Sequence, residues 1–346
     1  MDAFEKLRSK PHLSGPKRQH FVPKFYLEGF TRGGLLSVFD RDDGAVRSQT
    51  PRDTNVVGHL YTFQDNEDRR RYDFEALFCH FENKAAPIVK KLSERERIDI
   101  DEREYLTAFI ALAAVRTPAA IAEAKNVHAG IVKARATLLL SDADSVLKIL
   151  REMEGPAADE AVLRKHSIDV ARMVRDESYD VGVDSTFALG KSMRLFDVIA
   201  NALFTRDWMT LYSPSEEHSF LTSDSPVILT PRGSGSRHLP LGYGSPHGQV
   251  LFPLTHGSAL VISGDQGRSG RTDITLEALR RFNLTVAAEC HRYIVGRDAA
   301  LVHSIADELK LAGTTWKPKY KVEVGRRREP DGTGFSTGAW ITRVGE

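Results

Sequence analysis

The chain has few cysteines, no long apolar run and almost no net charge. Its 346 residues include only two cysteines, Cys79 and Cys290, and no CxxC pair, so neither a disulfide framework nor a thiolate zinc site is indicated. No stretch approaches the roughly 18 consecutive apolar residues that a membrane-spanning helix needs. The N-terminus also lacks the apolar core of a secretory signal. We therefore expect a cytoplasmic protein with no membrane partner.

The charges of the chain nearly cancel, because 48 Lys and Arg residues are matched by 47 Asp and Glu residues. No overall electrostatic field therefore draws the protein towards nucleic acid. The basic residues are nevertheless clustered in segments 6–24, 69–71 and 317–328. Such clusters can bind phosphates, although solvated loops and tails explain them more often. Both explanations stay open, and nucleic acid is one candidate partner.

Standard catalytic and nucleotide-binding fingerprints are absent from the sequence. It contains no GxxxxGK[ST] phosphate loop, no HExxH metal motif and no GxSxG nucleophile elbow. The serines at 223 and 225 have no elbow of glycines around them. A hydrolase that relies on a serine or cysteine nucleophile is therefore disfavoured.

Hydrophobic patterns divide the chain into three regions. Residues 34–63 alternate briefly and turn at Asp43-Gly44, which predicts a hairpin followed by a third short strand. Residues 73–207 have an almost wholly helical pattern, and short strand-like runs with two further helices follow. These patterns predict an α+β fold: a mostly antiparallel sheet from the N-terminal hairpin and the C-terminal strands, with a central helical layer or subdomain.

The same patterns suggest how the chain is organised. We expect a single α+β domain at 18–312, with a helical insertion at about 73–207. Residues 1–17 are expected to be a flexible basic segment, and residues 313–346 a basic tail with one or two short strands. The Gly- and Pro-rich residues 231–248 predict a long surface loop or lid.

Two carboxylates share an apolar stripe of the first long helix. Glu75 and Glu82 are seven residues apart, hence about two helical turns, in a row that includes Phe78 and Val89. Burying a carboxylate is costly unless it is paired, hydrogen-bonded or bound to a metal. The stripe therefore predicts a polar site, unless its edge simply faces solvent.

Polar residues in other segments are candidates for the same site. His20 precedes an aromatic-rich run, Arg116 ends a helix before a Thr-Pro pair, and Asp224 lies between two apolar strand-like runs. Each also has a structural explanation: a partly buried histidine, a cation at a helix C-terminus, and an Asx turn. Asn283 is unfavourable in the middle of a helix, which indicates a partner in another element.

Six short motifs occur in order along the chain. They are QHFVPKFYLEGF near the N-terminus, FEALFCHFENKAAPIVKKL, the arginine of RTP at 116–118, FLTSDSPV at 220–227, FPLT at 252–255 and a later FNL. Together they resemble the bacterial domain-of-unknown-function 4238 family over residues 18–296, although Ser225 stands where that family commonly has asparagine. The resemblance implies no fold and no activity. The family's motif positions coincide with His20, Glu75, Glu82, Arg116, Asp224 and Asn283.

Two hypotheses of different classes follow. The first is a metal-dependent hydrolase, nuclease-like and acting on phosphodiesters, in phage defence or a stress response. Its catalytic residues would be His20, Glu82, Arg116 and Asp224. Its ligands for Mg²⁺ or Mn²⁺ would be Glu75, Glu82 and Asp224, and its substrate-binding residues would be Arg18, Lys24, Ser223 and Asn283. The alternative is a non-catalytic sensor or binding module for nucleic acid or protein, whose polar residues form a structural network.

Overall fold

The computed structural model describes residues 11–233, 241–328 and 335–344 of the chain. Residues 1–10, which belong to the expected flexible segment, lie outside the described residues. The same holds for residues 234–240, the central part of the expected lid. The predictions for these two stretches therefore stay predictions.

Helices in the described residues are capped mainly by side chains. In chain order they are α1 Lys24–Glu28, α2 Asp73–Ser93, α3 Ile100–Val115, α4 Pro118–Leu140, α5 Ala143–Glu154, α6 Glu160–Arg175, α7 Ser185–Met193, α8 Phe196–Phe204, α9 Leu276–Ala288 and α10 Ala299–Glu308. Aspartate or threonine oxygens at the N-caps of α3, α5, α6, α9 and α10 accept N–H groups of the first turn. These N–H groups have no partner within the helix itself. The helix starts are thus set by local sequence.

The strands form several sheets. In chain order they are β1 Arg18–His20, β2 Leu36–Asp40, β3 Val46–Gln49, β4 Val56–Gly58, β5 Phe63–Gln64, β6 Arg70–Arg71, β7 Asp207–Tyr212, β8 Thr222–Ser223, β9 Ile228–Pro231, β10 Gly248–Thr255, β11 Ser258–Ser263, β12 Ser269–Asp273, β13 Tyr293–Gly296, β14 Tyr320–Arg328 and β15 Phe335–Arg343. The strand orders are β3-β2-β13-β8, β12-β7-β11-β10-β9, β1-β4, β5-β6 and β14-β15. Every pair is antiparallel except β12 with β7.

The α+β prediction is confirmed. The expected N-terminal hairpin is β2–β3, and it pairs with the C-terminal strand β13 in a mostly antiparallel sheet. Most C-terminal strands, however, form a second sheet instead of extending the first. The physical reason is that β10 and β11 are joined by a tight turn, and consecutive strands with short connections pair with each other first.

The chain divides into two compact units, each assembled from two distant segments. Unit 1 comprises residues 1–121 and 189–317, and unit 2 comprises residues 122–188 and 318–346. The helical stretch expected at 73–207 is therefore divided, since α2 and α3 belong to unit 1. The segment expected to be a tail contributes β14 and β15 to unit 2.

Unit 1 has an aromatic core built around α2, α3 and the second sheet. The ring centroids of Tyr26 and Phe109 lie 5.4 Å and 6.2 Å from that of Phe252 in β10. Phe21 and Phe30, which flank Tyr26 in sequence, are buried as well. The aromatic-rich run after His20 thus anchors the start of the described chain in the core of unit 1 and fixes the backbone at His20.

No single helix of the described residues has the length and apolar composition needed to cross a membrane. The consecutive helices α3 and α4, which are separated by a break at Arg116-Thr117, meet these criteria only when taken together.

Candidate functional site

Five polar residues of unit 1 interact electrostatically and come from four different segments. We call them the Glu82 cluster: His20, Tyr61, Glu75, Glu82 and Arg116. The helix α2 contributes two carboxylates, β1 contributes the histidine, and the C-cap of α3 contributes the arginine. Four of these five residues were predicted as site residues from the sequence. Tyr61 was not.

Arg116 is the buried centre of the Glu82 cluster. Only 1% of its surface is exposed, and its Nη1 donates a hydrogen bond to Oε1 of Glu82 at 2.7 Å. The guanidinium carbon lies 4.8 Å from the centre of the Phe78 ring, which adds a cation–π attraction. Within the described part of the chain, its Nε and Nη2 have no hydrogen-bond partner. The buried cation therefore retains donors for a further acceptor.

Two residues outside the predicted set hold Arg116 in position. The hydroxyl of Tyr61 donates to the backbone oxygen of Arg116 at 2.8 Å, and the Tyr61 ring packs edge-on against Phe78 with centroids 4.7 Å apart. Gln19, which is fully buried in β1, accepts the Tyr61 N–H on its Oε1 at 2.7 Å. This chain of contacts satisfies the C-terminal carbonyl of α3 and links it to the strand that carries His20.

The two carboxyl groups of α2 differ in their surroundings. Glu82 accepts the hydrogen bond of Arg116 and is 22% exposed. Burial raises the pKa of Glu75 to about 7, and repulsion from Glu82 adds to this effect, while Arg116 opposes it. Glu75 is consequently close to half protonated at neutral pH, beside a carboxylate that is paired with a cation. Carboxyl groups in such contrasting environments are typical of acid–base sites.

His20 lies at the end of β1, opposite Val56 of β4. Its Nε2 lies 3.1 Å from the backbone oxygen of Arg52. A carbonyl only accepts, so Nε2 carries the proton in the neutral ring, and the backbone carbonyl of Pro51 is a second hydrogen-bond partner of the ring. Burial lowers the pKa of His20, although Arg52 and Glu82 partly offset this. The ring is therefore mainly neutral at pH 7.

Asp224 belongs to a different network. Its carboxylate accepts the backbone N–H groups of His291, Arg292 and Tyr293 at 2.8, 2.6 and 3.0 Å. Burial raises the pKa of Asp224, against the opposing effect of these donors, and lowers the pKa of His291 beside it. Among the described contacts, none joins Asp224 to the Glu82 cluster by a hydrogen bond or ion pair. Asp224 fastens the turn before β13 to β8.

The predicted substrate-binding residues Ser223 and Asn283 are engaged with backbone. Asn283 is 1% exposed, accepts the Leu221 N–H at 2.9 Å and donates to the Ser219 oxygen at 2.9 Å. Ser223 is buried, and its hydroxyl accepts the N–H of Ser225 at 3.1 Å. These side chains shape the segment that contains the family motif, which explains why an asparagine occurs inside α9.

The predicted substrate-binding cations Arg18 and Lys24 lie on the surface of unit 1. Arg18 pairs with Asp53 at 2.8 Å, and Lys24 pairs with Glu28 at 3.3 Å. More than half of each basic side chain is exposed. Such exposed pairs contribute little to stability. Because both basic side chains are mostly exposed, they are accessible to an anionic partner near His20.

The structure does not bring Glu75, Glu82 and Asp224 together as a set of metal ligands. In the parts of the chain that are described, no three His, Cys, Asp or Glu side chains are grouped so that they could hold a metal ion. The physical reason lies in their partners, because Asp224 is held by backbone amides and Glu82 by Arg116. The sequence gives no signal for these partners, since they come from residues far away in the chain.

Two buried polar residues in or next to the strands β1 and β4 were not predicted from the sequence. Gln19, a buried amide next to His20, interrupts a run of basic and aromatic residues. Asn55 precedes β4, has a left-handed backbone with φ of 54°, and buries both amide atoms without a partner among the described residues. Periodicity does not identify such residues, because their burial depends on how the segment before Tyr61 folds back over β1.

The model of one protein family, described as "Protein of unknown function (DUF4238)", matches residues 18–300, which is most of the chain. No curated protein and no solved structure matches the chain. The match covers the Glu82 cluster as well as Asp224 and Asn283, and it leaves the hairpin β14–β15 outside.

Proposed function

Because the chain belongs to the DUF4238 family, whose function is unknown, we propose its activity from the geometry of the Glu82 cluster. We propose that the protein is a hydrolase that cleaves phosphodiester bonds. The observation that carries this proposal is the buried guanidinium of Arg116, which is paired with Glu82 and keeps two donor nitrogens without a partner among the described residues. A planar cation of this kind suits the oxygens of a phosphate group.

Substrate binding would use the exposed side of the cluster. Glu82 is 22% exposed whereas Arg116 is 1% exposed, so Glu82 is the accessible member of the pair. A phosphate that enters past Glu82 would accept hydrogen bonds from Nε and Nη2 of Arg116. Arg116 would then stabilise the negative charge that develops on the phosphate oxygens during attack.

Proton transfer would use His20 and Glu75. Nδ1 of His20 would accept a proton from a water molecule as the water oxygen forms a bond to phosphorus. Glu75 would donate its proton to the leaving oxygen as the old phosphorus–oxygen bond breaks. A group with a pKa of about 7 is well suited to this role at neutral pH. This scheme requires only side chains of the protein itself. The hydrolysis assay is nevertheless run with Mg²⁺ and with Mn²⁺ as well.

A second candidate function is a non-catalytic binding or sensor module. It is favoured by the enclosure of Arg116 between Glu82, Tyr61 and the Phe78 ring. In this case the Glu82 cluster is a structural ion-pair network, which also perturbs pKa values. The two candidates predict different effects of neutralising Glu75.

The decisive variant is Glu75→Gln, assayed at pH 7 with bis(4-nitrophenyl) phosphate and with labelled DNA and RNA. Each substrate is tested with Mg²⁺, with Mn²⁺ and with EDTA. We expect hydrolysis to fall by at least about 100-fold, because glutamine has the shape of protonated Glu75 but cannot donate its proton. Circular dichroism and a thermal melt should show an intact fold.

Glu94→Gln is the matched control, because Glu94 caps the C-terminus of α2 and its side chain is 53% exposed. This control should retain wild-type activity. Wild-type protein that cleaves none of the substrates under any metal condition would exclude the hydrolase. Full activity in Glu75→Gln would exclude Glu75 as the acid and favour the structural network.

A further inference from the structure

Unit 2 contains a cavity between α4 and the hairpin β14–β15. Its volume is about 550 Å³, which lies within the range of small-molecule sites in proteins. One face of α4 lines it on one side, and residues 322–325 of β14 line it on the other, together with Trp340 of β15 and with Glu177 from the segment after α6. All of these residues belong to unit 2, so the cavity is formed within one compact unit.

The face of α4 that lines the cavity leaves space in front of the hairpin. It consists of Gly130, Lys133, Ala134 and Thr137, which are positions i, i+3, i+4 and i+7 of one helix face. These side chains are small or polar, whereas a large apolar side chain of the same helix, Leu139, is about half exposed. A face selected for packing would carry the large apolar residues. Packing alone therefore does not explain this face.

Lys133 supplies a positive charge to the cavity. Its Nζ lies 5.5 Å from the centre of the Tyr179 ring and 4.0 Å from Oδ1 of Asp180. The ring attracts the ammonium and orients the side chain. The Asp180 side chain is fully exposed, so the ion pair at this distance is weak. The ammonium has three N–H donors and makes no hydrogen bond to the described residues, so it can bind an anionic group.

Glu177 supplies a carboxylate from a backbone position that usually holds glycine. At the end of α6, the N–H of Glu177 donates to the Val174 oxygen at 3.3 Å, and the N–H of Ser178 donates to the Met173 oxygen at 3.1 Å. These two bonds form a Schellman motif, whose left-handed residue is most often glycine. Glu177 occupies that position with φ of 48°, which is unfavourable for a residue with a Cβ. The described residues offer its carboxylate no ion pair, so local structure does not explain the glutamate.

The strand β14 gives the cavity an apolar wall. Val322 and Val324 line it and are two residues apart, hence on the same face of the strand. Glu323 also lines the cavity, but it pairs with Lys321 at 2.7 Å and accepts the Thr342 hydroxyl at 3.2 Å. Its charge is thus already compensated. One cation and one anion remain to interact with a ligand beside the apolar wall.

We infer that this cavity binds a free α-amino acid with a large apolar side chain. Lys133 would bind the carboxylate of the amino acid, Glu177 would bind its ammonium group, and the valines of β14 would contact its side chain. A zwitterion matches one cation and one anion, whereas a nucleotide or a polyamine carries an excess of one sign that these two residues do not balance. The inference goes beyond the proposed function, because the cavity lies in unit 2 and binding requires no hydrolysis.

Isothermal titration calorimetry of the full-length protein with L-phenylalanine, L-leucine and L-tryptophan tests this inference. We expect at least one of them to bind. The analogues of the tightest binder that lack the carboxylate or the ammonium group are then measured; for phenylalanine they are phenethylamine and 3-phenylpropionate. Each analogue should bind at least about tenfold more weakly, because it loses one charge-assisted contact.

The variants Lys133→Gln and Glu177→Gly remove the two charges one at a time. Each should weaken binding of the amino acid at least about tenfold. Glu177→Gly also places glycine at φ of 48°, so it should melt at the same temperature as the wild type or higher. A loss of binding without a loss of stability separates a role in binding from a structural role. Glu177→Gln replaces the glycine variant if that variant is unfolded.

The matched controls are Lys148→Gln and Glu152→Gln, which remove the same charges from exposed positions of α5 in the same unit. Both should bind the amino acid like the wild type. Circular dichroism verifies that all variants are folded.

Several outcomes would overturn the inference. They are no binding of any of the three amino acids at millimolar concentration, equal binding of the analogues, and wild-type binding by folded Lys133→Gln and Glu177→Gly. Tighter binding of guanosine monophosphate or spermidine would assign the cavity to another ligand class. Amino-acid binding by a protein that cleaves no phosphodiester would refute only the proposed function, whereas hydrolysis without amino-acid binding would refute only the inference about the cavity.

Discussion

Glu75 and Glu82 lie on one helix, yet their surroundings differ. Glu82 accepts a hydrogen bond from Arg116, and this bond compensates its charge. The pKa of Glu75 is raised to about 7 by burial and by repulsion from Glu82. The difference arises from the position of the guanidinium, which is supplied by the C-cap of another helix.

The raised pKa of Glu75 predicts a pH dependence of stability. Its folded-state pKa of about 7 exceeds the ordinary value of 4.5, so the folded protein binds the proton more tightly. The contribution of Glu75 to stability is therefore complete below about pH 4.5 and is lost as the pH rises through 7. The full shift corresponds to about 3 kcal/mol. We expect about 1–2 kcal/mol, because the side chain is only partly buried.

Urea denaturation of the wild type and of Glu75→Gln between pH 5 and pH 8 measures this effect. The wild type should lose about 1–2 kcal/mol of unfolding free energy relative to the variant as the pH rises. Parallel curves for the two proteins over this range would show that Glu75 titrates as an ordinary exposed carboxyl group.

At the scale of elements, the segment before β8 is fastened by side chains from α9. Asn283 bonds both the Leu221 N–H and the Ser219 oxygen, and the aromatic rings of Phe220 and Phe282 pack edge to face with centroids 5.0 Å apart. Asp224, two residues after Thr222 of β8, bonds the amides that lead into β13. The family motif of this region therefore joins a short strand to its neighbours.

Asn283→Ala should lower the unfolding free energy by about 2–4 kcal/mol. It leaves a buried N–H and a buried carbonyl without partners, and each such group costs about 1–3 kcal/mol. Asn201→Ala is the control, because Asn201 is an exposed residue of α8, and its cost should stay within about 0.5 kcal/mol. Chemical denaturation measures both variants. Equal stability of the two would contradict the anchoring role of Asn283.

At the scale of the whole molecule, each unit is assembled from segments that are distant in sequence. In unit 2, residues 122–188 are joined by the C-terminal segment, and Gly130 of α4 permits the close approach of Val322 in β14. A glycine in the interior of a helix is unfavourable by itself. Its presence here is explained by the packing of the hairpin against the helix.

Gly130→Ala should therefore destabilise the protein by about 1–2 kcal/mol, although alanine favours helices. The added Cβ would lie 2.8 Å from Cγ2 and 2.9 Å from Cβ of Val322, and overpacking of this kind costs about 1–3 kcal/mol. Gly190→Ala in α7 is the matched control. No atom of the described residues lies within 4 Å of its new Cβ, so this variant should gain up to about 1 kcal/mol.

Thermal and chemical denaturation of both glycine variants compare the cost of overpacking at position 130 with the gain in helix propensity at position 190. The double variant Gly130→Ala/Val322→Ala should regain part of the loss, because it removes the Cγ2 methyl group that lies 2.8 Å from the new Cβ. A stabilising Gly130→Ala would show that β14 lies farther from α4 than the structure places it.

Local patterns were enough to predict the α+β class, the N-terminal hairpin and the apolar face of α2 that carries Glu75 and Glu82, because periodicity and turn residues act over a few positions. Tertiary structure alone decided that Arg116 pairs with Glu82, 34 residues earlier, while Asp224 pairs with backbone amides 67 to 69 residues later. It also decided that the C-terminal basic segment is a paired ribbon. The physical reason is that burial and ion pairing depend on which distant segments come into contact. No local pattern of residue types specifies these contacts.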